Sequence, residues 1–96
     1  MGAEHCDSLE QVRERIDALD RAIVRLLAER GRYVAQAASF KRDAEAVRAP
    51  QRASRVIAKA VEIGVQEGAE RAVIERIYRE IVAAFTDAEM RRHLGS

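Results

Sequence analysis

The sequence predicts an all-α protein: three helices, one long and two shorter, in an intertwined helical homodimer. Three observations carry this. Apolar residues recur at alternating steps of three and four over most of the 96 residues. The composition is rich in Ala, Glu, Arg, Leu, Ile and Val, which favour helix in this mix. The breakers are few, one Pro and five Gly.

The first helix opens at Ser8, where Gln11 three residues later completes a capping box and Leu9 starts an apolar seam. Leu9, Val12, Ile16, Leu19, Ile23 and Leu26 follow the seam, and its next position is Arg30. Gly31 alone costs about 1 kcal/mol, so the helix is expected to run on to about Lys41. Such a rod is about 50 Å long. The segment 43–49 has no periodicity. Pro50 suits the first turn of a second helix, where its missing N–H is no loss. That helix carries Val56, Ala60 and Ile63 on one side and ends near Gly64 or Gly68. A third runs from about Glu70 to Arg92, with Ile74, Ile77, Tyr78, Ile81, Val82, Phe85 and Ala88 as its buried stripe.

The two shorter helices are too short to cover the whole seam of the first. A second copy of the chain is the natural cover, giving a homodimer with long helices packed together. The alternative is a lone three-helix bundle with a bent first helix. Residues 1–96 read as one domain, with its core at about 8–92.

Composition narrows the function. Seventeen basic residues against sixteen acidic leave a net charge of +1, which gives no electrostatic footprint for nucleic acid. Phe40, Phe85, Tyr33 and Tyr78 are too scattered to stack bases. A single cysteine, Cys6, excludes an internal disulfide, and His5 beside it does not make a metal site, so no cofactor or metal is expected. No apolar run is long enough to cross a bilayer, and a cytoplasmic protein is expected.

Arg30 is the residue that points to chemistry. A guanidinium keeps its proton and is costly to bury without an anion, so an anionic partner is expected at this seam position. On a continuous helix, Lys41 lies eleven residues on and within about 20° of the same direction, about 16 Å away, with Ala37 and Ala38 between. Two such cations suit a compact dianion, and Arg52, at the start of the second helix, supplies a third. Glu89 sits at the edge of the third helix's stripe, as either a solvated flank residue or an interior carboxylate. No Ser or Cys nucleophile is paired with a His, and no glycine loop cradles phosphate. A catalyst built this way works by binding and electrostatics.

The stretches Arg13–Asp20, Leu26-Leu27-Ala28-Glu29-Arg30, Phe40-Lys41 and Val47–Arg52 resemble the all-helical chorismate mutases. The resemblance covers about residues 9 to 92. Tyr33 to Lys41 and Ala49-Pro50-Gln51-Arg52 are especially similar to the isochorismate-pyruvate lyase branch. It implies an intertwined dimer with two sites, each taking Arg30, Lys41, Arg52 and Glu89 from one chain and Arg13 from the other. Helical arithmetic agrees, since Arg13 lies about 100° away from the direction of Arg30. By resemblance, Arg13 and Arg30 hold substrate carboxylates with help from Arg52, and Lys41 donates to the ether oxygen. At the place of Glu89, many bacterial members have Gln, and a carboxyl donates there only when protonated. Ala49 and Ala53 stand where the familiar bacterial mutases have acidic residues that bind the ring hydroxyl, and Ala84 where a hydroxyl is common.

The leading expectation is therefore a chorismate mutase, making prephenate without covalent catalysis. Isochorismate-pyruvate lyase, giving salicylate and pyruvate, is the second. An amino-deoxychorismate mutase and a non-enzymatic helical dimerisation module follow.

Overall fold

The computed structural model describes residues 2–95 and is helical, with no strand among them. The helices are α1 (Leu9–Ala38), α2 (Ala44–Arg48), α3 (Pro50–Gln66) and α4 (Arg71–Gly95). Three are the expected long elements. The five-residue α2 falls where periodicity gave no helix.

Local chemistry accounts for the boundaries. At the start of α1, the Gln11 N–H donates to Ser8 Oγ at 3.1 Å, as the capping box requires. The Gln11 side chain reaches one residue further back than expected and accepts from the Asp7 N–H at 2.8 Å. The other end falls short of the predicted Lys41. There the N–H groups of Ser39, Phe40 and Lys41 turn to carbonyls three residues back, those of Gln36, Ala37 and Ala38. Ser39 Oγ also donates to the Gln36 carbonyl at 2.7 Å. A serine hydroxyl that competes for a helix carbonyl favours termination there.

α2 is capped by Asp43, whose Oδ1 accepts from the Ala46 N–H at 2.9 Å. Ala49 closes it in the left-handed region (φ 35°, ψ 62°), an uncommon place for a residue with a Cβ. Pro50 then opens α3, as its fixed φ predicts. α3 ends in a Schellman motif: Ala69 N–H donates to Gly64 O at 2.8 Å and Gly68 N–H to Val65 O at 3.1 Å. Gly68 supplies the positive φ of 86° that this ending needs.

The chain forms two compact units, one up to Tyr33 and one from Val34. The first is the bulk of α1 with the segment before it, where Arg15 and Glu4 form an ion pair at 2.7 Å. Its seam, expected to be covered, is open in the single chain: Leu19 is 63% exposed and Leu26 56%. One helix cannot bury its own stripe, which needs a second surface.

In the second unit, α4 packs on α3 and on α2. Val47 of α2 and Val61 of α3 are its buried aliphatic side chains. Gly64, expected as a helix breaker, lies inside α3 and sets how closely α4 approaches. A Cβ there would meet Ile74 Cγ1 at 2.7 Å. The expected stripe residues Ile63 and Ile77 remain about half exposed.

Candidate active site

α2 determines where Lys41 goes. Asp43 starts it, Val47 sinks its far end beside α4, and the preceding non-helical residues are carried along. Glu89 lies fifteen residues beyond Ile74 on α4, about 22 Å further along the axis. It is 4% exposed, the one buried charged residue among those described.

The two side chains meet. Lys41 Nζ donates to Glu89 Oε1 at 3.1 Å and lies 2.9 Å from Oε2. The ammonium thus straddles the carboxylate. Only the Oε1 leg has hydrogen-bond alignment; Oε2, shielded from solvent, has the charge beside it but no aligned donor. Distance governs the ionic attraction and angle the hydrogen bond, so both statements hold together. Lys41 is the more open partner, with 27% of its side chain exposed.

The other expected site residues fall as follows. Arg13 and Arg30 are on the part of α1 that belongs to the first unit. Arg13 is exposed, whereas Arg30 is partly buried and its Nη1 is shielded from solvent. Arg52 is exposed in the first turn of α3 and makes no ion pair among the described residues. Lys41 departs from expectation in one respect. It lies beyond the end of α1, so the helical register that aligned it with Arg30 does not place it. The cap by Asp43 and the burial of Val47 are not among the expectations from the sequence. The available signal was an Asp followed by Ala-Glu-Ala, a capping residue ahead of helix formers.

No helix among the described residues is long and apolar enough to cross a membrane. At the N-terminal end, His5 Nε2 lies 3.6 Å from Asp7 Oδ1 and Cys6 Sγ donates to the Glu4 carbonyl at 3.8 Å. No three His, Cys, Asp or Glu side chains converge as a metal site among the described residues.

An all-helical chain with an oriented ammonium held at a buried carboxylate can polarise an oxygen without forming a covalent bond to it. That chemistry agrees with its relationships. The family model for chorismate mutase type II matches residues 12–90, and the chain belongs to this family. The matched span contains Arg13, Arg30, Lys41, Arg52 and Glu89. Within the superfamily, the chain is 30% identical to an isochorismate pyruvate lyase of Pseudomonas aeruginosa over 79 residues, 82% of this chain and 78% of the relative.

Proposed function

We propose that the protein is a chorismate mutase that rearranges chorismate to prephenate. The observation that carries this is the Lys41–Glu89 pair, a half-buried donor held at a buried carboxylate in a chain of the type II chorismate mutase family. In the reaction an ether C–O bond breaks as a C–C bond forms, and negative charge gathers on the departing oxygen. Lys41 donates to that oxygen. Arg30 and Arg52 hold the substrate carboxylates, and Arg13 reaches in from a second copy of the chain. Planar guanidinium groups match carboxylates in a two-point fashion that lysine does not reproduce. Folding the enolpyruvyl arm over the ring removes entropy before the barrier, and fixed cations stabilise the separating charge.

The working unit in this reading is a homodimer. The open seam of α1, including Leu19 and Leu26, is the surface that a second α1 covers.

A second reading has a specific support. The similarity to a lyase, together with alanine at 49 and 53, favours cleavage of isochorismate to salicylate and pyruvate. Both reactions break the same kind of ether bond beside the same cations. Purified protein offered chorismate and isochorismate in parallel decides between them. Prephenate formed with the higher kcat/KM supports the mutase, and salicylate formed more efficiently replaces it with the lyase. Turnover of neither removes both.

A further inference from the structure

Charge is unevenly spread along this chain. The net charge is +1, yet residues 41–59 hold six cations and two acids, a net of +4. On α1 and α4 the signs are interspersed, with six basic and five acidic residues on the first and five and four on the second. α3 differs, because no acid precedes Glu62. Arg52, Arg55 and Lys59 fall within about 60° of one another around its axis, away from the buried Val61 and Gly64, and all three are exposed. Arg48, also exposed, ends α2 just before the Ala49 junction. Four residues of chain span at most about 14 Å, so its Cα lies within that distance of Arg52.

Lys59 has Glu62 at 3.7 Å, whereas Arg48, Arg52 and Arg55 make no ion pair among the described residues. A surface that serves solubility alone mixes both signs; a field of one sign concentrates counter-ions from solution. This field is centred beside Arg52. We propose that Arg48 and Arg55 form a capture surface for a small dicarboxylate: their charge draws the dianion to Arg52 and leaves the chemistry to the residues already assigned. The part played by Arg52 rests on the function proposed above. The stripe adds a preference for dianions over monoanions, since attraction scales with the charge of the ligand.

The size of the effect follows from distance and screening. With each cation about 12 Å from an anion at Arg52, its attraction for a dianion is worth about twofold in affinity at about 10 mM ionic strength, where the Debye length is about 30 Å. At about 0.15 M the same attraction is worth about 1.3-fold. In Arg48→Gln/Arg55→Gln, kcat/KM is therefore expected to fall about fourfold at the lower salt and about 1.7-fold at the higher, with kcat unchanged. Arg48→Lys/Arg55→Lys should behave as the unaltered protein, because a field needs charge and not the guanidinium fork. Arg71→Gln is the control. Arg71 opens α4 near Ile74, which lies against Gly64, about 18 Å along α3 from Arg52, and its loss should cost less than about 1.5-fold at the lower salt.

Unchanged kcat/KM in the glutamine double variant at low salt overturns the proposal. So does a fall in kcat, an equal loss at both salts, or a loss that the lysine variant shares, each of which marks direct contact with the substrate. Binding of cyclohexane-1,3-dicarboxylate and of cyclohexanecarboxylate, followed by nitrogen-15 NMR at about 10 mM ionic strength, reads the field without turnover. The glutamine double variant should weaken the dicarboxylate about fourfold and the monocarboxylate about twofold. Equal weakening of the two, or no binding of the dicarboxylate to the unaltered protein, also overturns the capture surface. If neither chorismate nor isochorismate turns over, the assigned function fails, while the dicarboxylate titration still decides whether Arg48 and Arg55 gather dianions.

Discussion

Removing the lysine should destabilise the fold far more than removing the carboxylate's charge. Lys41→Met leaves a carboxylate that is 4% exposed without its cation. Breaking a buried pair from one side costs about 3–5 kcal/mol. Because 27% of the Lys41 side chain is open, water reaches part of the vacated space, and the lower end, about 3 kcal/mol, applies. Glu89→Gln leaves the opposite orphan, an ammonium near the surface that can hydrate, and costs about 1 kcal/mol. With a urea slope of about 1 kcal/mol per molar for a small domain, the midpoints fall by about 3 M and 1 M. Circular dichroism at 222 nm follows the transitions, at one protein concentration because the proposed dimer would contribute to apparent stability. The double variant should lose less than the sum of the two, by about 1–2 kcal/mol. Additivity within about 0.5 kcal/mol, or a greater loss in Glu89→Gln than in Lys41→Met, refutes the contact as the source of the effect.

Gly64→Ala sets helix propensity against packing. The gain of about 1 kcal/mol is outweighed by overpacking of about 1–3 kcal/mol against Ile74, so melting should fall by about 4–8 °C. Asp43→Ala removes the cap of α2, costing about 1 kcal/mol, and amide exchange should quicken first over residues 44–48. Leu19→Asp places a charge in the open seam; if the proposed dimer forms through it, light scattering should report the mass of two chains for the unaltered protein and of one for the variant.

The legible parts of the fold are those with local causes. Ser8 and Gln11 mark the start of α1 and Pro50 the start of α3, because each acts through bonds or dihedrals a few residues away; of the two glycines expected near the end of α3, Gly68 supplies the ending and Gly64 lies inside the helix. The end of α1 was less visible: apolar spacing continues past Ala38, and the helix closes through backbone bonds to carbonyls three residues back, with the Ser39 hydroxyl on the Gln36 carbonyl. α2 is too short for periodicity to register, and its cap and the burial of Val47 define it instead. In the site, the place of Glu89 on its helix was readable, since a stripe has an edge. Its pairing with Lys41 spans 48 residues of sequence and depends on how α2 lies against α4, which no local pattern encodes.

The claim beneath the whole account is that arginines from two chains complete one site. It is tested most directly by mixing two inactive proteins, Arg13→Ala and Arg30→Ala, under conditions where subunits exchange. Each alone should be nearly inactive on chorismate. In a statistical mixture half of the dimers are mixed, and one of the two sites in each has both arginines, so about a quarter of wild-type activity should return. A mixture as inactive as its components, with subunit exchange demonstrated, would contradict the shared site.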